Sequence, residues 1–385
     1  MKELTFGQLG ELFDGPHATP ARRADGPYFL NISSLNSGRL DLALSDHVGR
    51  DDFVRWTRRV TPRAGDLLFS YETRLGEAAL MPPGIEACLG RRMALLRPNR
   101  AVVEPRFFLY YYLSPVFQDL IKERTIHGAT VERIALSSMG SWPVWLPELN
   151  AQRAIAEVLG ALDDKIAANQ GAASATDDLV RVLFDRFQTE VETIEVGHIA
   201  VNVRSHASPP FEPQASVGLE HIPRRSMWLA DCGTAEDLAS GKFRFERGDV
   251  LFGKLRPYFH KVVVSDRAGV CSTDVLVLRS RHQDLGGFVW SALSSDEVVG
   301  RVSAMVEGTR MPRTGWADVA ATAVPWPGEV AAREFSGHVE SLASRAAAAI
   351  RESRHLAALR DTLLPHLMSG RLTVRQAEAA VSDAV

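Results

Sequence analysis

One segment of this sequence occurs twice, about 180 residues apart. The pentapeptide Gly-Asp-Leu-Leu-Phe at 65–69 returns as Gly-Asp-Val-Leu-Phe at 248–252, an offset of 183 residues. Without a gap, this offset places Cys88 on Cys271. Later matches, at an offset of 180, are Leu113 with Leu293, Gly128 with Gly308 and Arg133 with Arg313. The period is far too long for a solenoid and predicts a duplicated domain in a pseudo-two-fold molecule, which suits a two-fold partner such as duplex DNA.

A long helix is predicted after each copy. Each copy ends in a segment rich in tryptophan and proline, at 142–147 and 324–327, and proline favours the start of a new element. Apolar residues then recur in alternating steps of four and three, which predicts coiled-coil seams, the first on a rod of about 60 Å. The seam positions are Ile155, Leu159, Leu162, Ile166, Asn169, Ala173, Thr176, Val180, Leu183 and Phe187 in the first helix, and Phe335, Val339, Leu342, Ala346, Ala349, Ser353, Leu356, Arg360, Leu363 and Leu367 in the second.

Polar residues interrupt both seams. Asn169 either sets the register through a hydrogen bond or is tolerated near a wet end, and the sequence leaves both readings open. Ser353 and Arg360 weaken the second seam. Because both seams lie in one chain and separate two like domains, an intramolecular antiparallel pair is the simplest arrangement.

These patterns predict an α+β protein with two similar α/β domains in tandem, each followed by a long helix, the helices pairing as an antiparallel coiled coil. Within the domains, helices are predicted from Pro105 to about Lys122 and from about Leu285 to Val306. The predicted boundaries are 1–146 and 191–327 for the domains, 147–190 and 328–373 for the helices, and 374–385 for a flexible tail.

Composition indicates a soluble globular protein of two to three domains, since 45% of the 385 residues are hydrophobic and 24% are charged. We find neither a membrane-length apolar run nor a secretory signal, and we expect a cytoplasmic protein. Cys88, Cys232 and Cys271 lack Cys-x-x-Cys spacing, which argues against a zinc site, and Cys88 and Cys271 are expected to be equivalent core residues. The net charge of −3 does not by itself indicate a nucleic-acid-binding protein.

The start of the first helix region and the end of the second resemble a known family. The junction at 146–166, which contains Gln152-Arg153 and Leu162-Asp163-Asp164-Lys165-Ile166, closely resembles the central conserved region of the specificity subunits of type I restriction–modification enzymes, although Ala151 stands where glutamate is usual. The segment at 359–372 resembles the second conserved region of that family. Short patterns at 63–69, 128–130 and 271–274 resemble those of its target-recognition domains.

The resemblance implies a non-catalytic DNA-recognition subunit. Each domain would read one half of a bipartite, asymmetric site on double-stranded DNA, while the helices set the spacer and dock two DNA adenine methyltransferase subunits. S-adenosylmethionine, ATP and Mg²⁺ are then expected only on partner subunits, and two motor-nuclease subunits are further possible partners. The residues expected to dock partners are Gln152, Arg153, Leu363, Leu364 and Leu367.

Motifs for catalysis are weak. The string Ser208-Pro209-Pro210-Phe211 matches an amino-methyltransferase motif, but we find no glycine-rich cofactor loop at a plausible spacing. The sequence has no phosphate-binding loop of the Gly-x-x-x-x-Gly-Lys type and no His-Glu-x-x-His motif. Asp163-Asp164-Lys165 is expected to be a solvated helix face. We therefore predict that this chain holds no catalytic residue, metal or cofactor of its own.

DNA contacts are expected on loops. Residues 252–261 are the densest basic and aromatic segment, and a hairpin of this composition either contacts DNA or is simply exposed to solvent. Its counterpart is 70–74, and 128–133 and 308–313 form a second equivalent pair; Arg22-Arg23 and Arg224-Arg225 are weaker candidates. The predicted DNA-contacting residues are Tyr71, Thr73, Arg74, Thr130, Arg133, Lys254, Arg256, Tyr258, Lys261, Arg310 and Arg313.

Two other classes of function stay open. A fused DNA methyltransferase fragment would rest on Ser208–Phe211, and binding of S-adenosylmethionine by the isolated chain would distinguish it. A coiled-coil adaptor with degenerate recognition domains would not produce a salt-dependent shift of duplex DNA in the presence of its partner.

Overall fold

The computed structural model describes residues 1–128, 131–189, 192–236, 238–306 and 311–382. The chain divides into two compact units: the first unit is Met1–Asp164 with Leu356–Val385, and the second unit is Lys165–His355. In the part of the chain that the structure describes, no helix is both long and apolar enough to span a membrane.

The first unit contains eleven strands among its described residues. They are β1 (Lys2–Thr5), β2 (Gly10–Asp14), β3 (Arg22–Leu30), β4 (Leu35–Asn36), β5 (Arg39–Leu40), β6 (Asp46–Val48), β7 (Leu67–Ser70), β8 (Ala78–Leu80), β9 (Ala87–Leu89), β10 (Met93–Pro98) and β11 (Pro143–Leu146). Its shorter helices are α1 (Arg50–Trp56), α2 (Pro105–Leu113), α3 (Pro115–Arg124) and α4 (Leu136–Met139).

The second unit repeats this arrangement. Its described strands are β12 (Thr193–Glu195), β13 (Ala200–Asn202), β14 (His206–Ala207), β15 (Ala215–Val217), β16 (Gly233–Thr234), β17 (Lys242–Phe245), β18 (Val250–Gly253), β19 (Val262–Val264), β20 (Gly269–Cys271), β21 (Val275–Ser280) and β22 (Ala323–Pro325). Its shorter helices are α6 (Val196–Ile199), α7 (Gly286–Leu293), α8 (Asp296–Met305) and α9 (Trp316–Ala320).

The duplication is visible in the sheets. Each unit has a four-stranded sheet of equivalent order, β2-β10-β7-β8 in the first and β13-β21-β18-β19 in the second. Each also has one parallel pair, β3 with β9 and β15 with β20. The Gly-Asp motif lies just before the central strand of the four-stranded sheet, β7 or β18, and its glycine has a φ of +89° at Gly65 and +87° at Gly248. Glycine is favoured there because other residues rarely adopt a positive φ.

The predicted equivalence of Cys88 and Cys271 is wrong. The parallel ladders end at Leu30 with Leu89 and at Val217 with Cys271, so Cys271 is the counterpart of Leu89. The hairpin at 254–261 is one residue longer than that at 71–77, and the next connection, at 265–268, is two residues shorter than that at 81–86. A comparison of the two copies without gaps cannot account for these differences in loop length. Both cysteines are nevertheless buried, as we predict.

Two long helices contribute residues to both units. They are α5 (Leu149–Asp185) and α10 (Glu329–Met368). In the second unit their residues pack in antiparallel order, since Asn169 contacts Glu352 while Phe184 lies against Phe335 with ring centroids 6.0 Å apart. In the first unit, Asp163 contacts Arg360. The seam thus exists as predicted, and two of its polar positions, Asn169 and Arg360, have partners on the facing helix.

Three local predictions differ from the structure. The helix predicted from Pro105 breaks at Ser114, because Pro115 restricts the residue before it to extended backbone and starts α3. The helix predicted from Leu285 to Val306 breaks between α7 and α8, where Ser295 caps the second helix by accepting a hydrogen bond from the Val298 amide. The predicted flexible tail contains a helix, α11 (Val374–Ser382), whose Ala377 is fully buried.

Candidate nucleic-acid interface

The connection between β18 and β19, residues 254–261, is held rigidly in the second unit. The Lys254 amide donates to the Asp274 carbonyl at 2.9 Å, and the Arg256 amide donates to the Pro312 carbonyl at 2.8 Å. The Thr314 amide donates back to the Lys254 carbonyl at 3.0 Å. These bonds join the two segments, 252–261 and 311–313, in which we predict DNA contacts.

The tip of this hairpin presents exposed basic and aromatic side chains. Arg256 is exposed, and Tyr258 keeps 56% of its surface accessible. Tyr258 lies against the ring of Phe259 with centroids 4.8 Å apart, and the Arg224 guanidinium lies 3.9 Å from the Phe259 ring centroid. The guanidinium over the Phe259 ring and the edge-to-face contact of the two rings restrict these side chains, so the tip is a preorganised surface.

A cleft of about 470 Å³ adjoins the hairpin and collects positive charge. Arg204, Lys254 and Arg313 all line it, together with Asn202, Thr273 and Trp316. Lys254 donates its ammonium proton to the Thr273 carbonyl at 2.6 Å, and Arg313 pairs with Asp274. Burial, with the charges of Arg313 and Arg204, lowers the pKa of Lys254. Cations crowded into a concave surface favour an anionic ligand.

Two neighbouring residues of the hairpin serve the fold. Lys261, which we predict to contact DNA, directs its ammonium group to the Leu219 carbonyl, and burial lowers its pKa. His260 is buried, with Nε2 2.9 Å from the Ser294 carbonyl oxygen. Both side chains thus brace the hairpin against the unit, and Arg256 and Tyr258 are the better candidates for contact with DNA.

The equivalent hairpin of the first unit, residues 71–77, is less basic at its surface. Tyr71 is buried, and Arg74 donates to the Ile32 carbonyl at 3.0 Å and to Glu77 at 3.1 Å. Thr73 is exposed, and its amide donates to the Glu132 carbonyl at 3.1 Å. Arg133 is also exposed. The structure therefore brings Thr73 and Arg133 to one surface. Tyr71 is buried instead, and the Arg74 side chain is held by hydrogen bonds within the unit.

Two of the predicted DNA-contacting residues, Thr130 and Arg310, lie outside the described residues. Two residues that we did not predict, Arg204 and Asn202, line the basic cleft. Asn202 ends β13 and Arg204 follows it, and the sequence does not distinguish this strand from other short strands. Arg204 is an isolated arginine in sequence, and only the tertiary structure brings it to Lys254 and Arg313.

The predicted docking residues divide into exposed and buried groups. Arg153 is exposed on α5 and Leu364 is half-buried. Gln152 is 2% exposed, accepts a hydrogen bond from the Glu104 amide at 2.9 Å and donates to the carbonyls of Val102 and Pro147. Leu363 and Leu367 are buried. Gln152, Leu363 and Leu367 therefore hold the first unit together and are not presented to a partner.

The methyltransferase-like string at 208–211 ends in a core residue. Phe211 is buried in a small cluster with Ala207, Ala235 and Val270. Among the described residues, no group of three or more histidine, cysteine or acidic side chains is placed to hold a metal ion. The burial of Phe211 indicates a packing role for the end of this string.

Comparison with known proteins finds one protein family and several individual proteins that are similar to this chain. Residues 28–174 match the family model of the type I restriction modification DNA specificity domain. The type I restriction enzyme EcoDI specificity subunit of Escherichia coli is 22% identical over 364 residues, which span 81% of this chain and 79% of that protein. The putative type I restriction enzyme MjaX specificity subunit of Methanocaldococcus jannaschii is 34% identical over 101 residues, but the match spans only 23% of its length.

The chain is similar to type I specificity subunits. The resemblance inferred from 146–166 and 359–372 is thus confirmed. The crystal structure of the S subunit of a type I restriction–modification system from M. genitalium has a TM-score of 0.55 to this chain, at 16% identity and with 95% of each chain covered. The shared fold confirms the predicted class, α+β with tandem domains and long helices.

Proposed function

We propose that this chain is the DNA sequence-specificity subunit of a type I restriction–modification complex and that each recognition domain reads one half of a bipartite, asymmetric site. The observation that carries the proposal is the repeated sheet with an equivalent hairpin in each unit, at 71–77 and 254–261. In the second unit this hairpin presents Arg256 and Tyr258 beside a basic cleft. Arginine can bind guanine through two hydrogen bonds, and cations in a cleft suit the phosphate backbone.

The partners follow from the same proposal. Two DNA adenine methyltransferase subunits would dock on the regions of α5 and α10 and supply S-adenosylmethionine, while motor-nuclease subunits would supply ATP and Mg²⁺ chemistry. The continuous helices α5 and α10, each of which contributes to both units, support a role in setting the spacer between the half-sites. Arg153 and Leu364 are the predicted docking residues with surface available to a partner.

The proposal is tested by replacing Lys254 and Arg256 with Ala in the chain co-expressed with the methyltransferase of its host. We expect weaker methylation, with a change only in the base requirement of the half-site that residues 191–327 read, and an unchanged requirement for the other half-site. If Arg256 reads a guanine, its loss should cost about 1–3 kcal/mol and relax one base position. Methylome sequencing measures both effects.

Arg247→Ala is the matched control. Arg247 is exposed in the same unit but precedes β18, whereas the hairpin follows it. An unchanged methylation profile in the Lys254 and Arg256 variant, or an equal change in the Arg247 variant, would remove this hairpin from the interface.

Exchange of residues 1–146 for the first domain of another specificity subunit should alter only one half-site, and alteration of both would contradict independent reading.

A further inference from the structure

Asp163 joins three elements of the first unit through its carboxylate. The Tyr110 hydroxyl of α2 donates to one carboxylate oxygen at 2.6 Å, and the Arg360 guanidinium of α10 donates to the other at 2.7 Å. Tyr110 is buried, and the Asp163 side chain is 21% exposed. The expectation that Asp163-Asp164-Lys165 forms a solvated face is therefore wrong for its first residue.

The neighbouring aspartate provides a direct comparison. Asp164 also binds an arginine of α2, since Arg106 donates to its two oxygens at 2.7 and 3.1 Å. The Asp164 side chain, however, is 71% exposed. Ion pairs that water surrounds contribute little, whereas a partly buried carboxylate needs its donors in place. The two adjacent aspartates thus both accept hydrogen bonds from α2, but Asp163 is largely buried and Asp164 is exposed to solvent.

The contacts of Asp163 restrict how α2 lies on the helices. Arg360 occupies a seam position of α10 where a coiled coil ordinarily has an apolar residue, and it pairs with Asp163 across the seam and with the exposed Asp361 on its own helix. Apolar side chains tolerate small sliding movements because their contacts have no direction. A hydroxyl and a guanidinium that converge on one carboxylate are satisfied in a single arrangement, which gives the contact its specificity.

This arrangement extends to the hairpin at 71–77. Tyr110, Asp163 and Arg360 line a cavity of about 470 Å³ that is also lined by Leu75 and Glu77 of the hairpin. The Gln118 side chain of α3 donates to the Gly76 carbonyl at 3.1 Å and to the Tyr112 carbonyl at 2.8 Å. A tilt of α2 would therefore move the hairpin that carries Thr73.

We propose that Asp163 is a positioning residue that, through Tyr110 and Arg360, sets the orientation of the first recognition domain on the helices and thereby its reading of DNA. The inference rests on the proposed function. The inference gives the segment 162–166 a role in positioning α2 within the first unit, in addition to any contact with partner subunits.

The test compares Asp163→Asn with Asp164→Asn in the complex with its methyltransferase. Methylation is measured on the cognate site and on sites whose spacer is one base pair longer or shorter. We expect Asp163→Asn to reduce the preference for the cognate spacer by about tenfold, on the scale of one lost charge-assisted hydrogen bond, and Asp164→Asn to change it less than twofold. Base discrimination in the second half-site should not change in either variant.

Tyr110→Phe is the milder second variant, because it removes only the hydroxyl and keeps the ring. It should lower the spacer preference in the same direction as Asp163→Asn. A fall in the melting temperature with unchanged spacer preference would mean that the contact is merely structural and would overturn the inference, as would equal effects of Asp163→Asn and Asp164→Asn. If the unaltered complex recognised no bipartite site, the proposed function itself would fail.

Discussion

At the scale of single residues, the aspartate of the Gly-Asp motif has the same role in both units. Arg97 donates to Asp66 at 3.1 and 2.7 Å, and Arg279 donates to Asp249 at 2.6 and 2.8 Å. Asp66 is 2% exposed and Asp249 is 1% exposed. The motif that reveals the duplication is therefore a structural turn whose buried carboxylate pairs with a partly exposed arginine of the neighbouring strand.

Asp249→Ala should destabilise the second unit strongly. The substitution removes the buried carboxylate that accepts from Arg279, which keeps only the exposed Glu246 as an acidic partner at 3.0 Å. It also removes the acceptor of the Glu246 amide, at 2.7 Å. We expect the free energy of unfolding to fall by about 1–3 kcal/mol, because a buried amide loses its acceptor and Arg279 loses a charge-assisted hydrogen bond, while its guanidinium stays partly solvated. Urea unfolding measures the loss, with Asp178→Ala, at an exposed position of α5, as the control. A loss below about 1 kcal/mol would contradict the assigned role.

The cysteines should differ in reactivity. Burial raises the pKa of Cys88 and that of Cys271 to about 12, whereas Cys232 is partly exposed. At pH 8.5, iodoacetamide should modify Cys232 first, and all three thiols should react once the chain is unfolded in urea. Because the two buried thiols ionise more readily in the unfolded chain, stability should decrease as the pH rises from about 9 toward 12. Fast labelling of Cys88 or Cys271 in the native protein would contradict their burial.

At the scale of elements, the seam between α5 and α10 contains a polar contact in the second unit. The Asn169 amide donates to a Glu352 oxygen at 2.8 Å, and Lys165 lies 3.3 Å from the other oxygen. Asn169 is buried. Of the two readings that the sequence leaves open, the structure supports the hydrogen bond between helices over tolerance at a wet end.

A double-mutant cycle should reveal the coupling between Asn169 and Glu352. Glu352→Leu alone leaves a buried amide without its acceptor and should cost about 1–3 kcal/mol. The combined Asn169→Leu and Glu352→Leu replacement should recover most of that loss, because the seam becomes apolar on both sides. Thermal unfolding of the four proteins measures the coupling. Additive effects would indicate that the two residues act independently.

At the scale of the whole molecule, the length of the helices should determine the spacing of the recognised half-sites. Inserting four residues at Ala172, roughly one turn, adds a rise of about 5–6 Å, near one to two base-pair steps. We expect a longer spacer in the methylated sequence. Inserting one residue should instead rotate the apolar seam by about 100° and impair folding or assembly. An unchanged spacer after the four-residue insertion would contradict this role of the helices.

The sequence by itself determined the features that depend on local pattern. The duplication, the two long helices and the buried apolar strands follow from spacing along the chain, and the resemblance to type I specificity subunits follows from 146–166 and 359–372. Because helix and strand periodicity decides which face of an element is apolar, these predictions needed no knowledge of distant contacts.

Only the tertiary structure decided which polar side chains are available for binding. Lys261, Arg74 and Gln152 are suitable for binding by residue type, yet each is occupied by backbone groups of its own unit. Arg204 joins Lys254 and Arg313 only in the folded second unit. Asp163 and Arg360 are separated by 197 residues, and neither the helix pattern nor the charge of either one indicates the other. The partners of a polar group are set by long-range packing, and its role becomes visible only when those partners are in place.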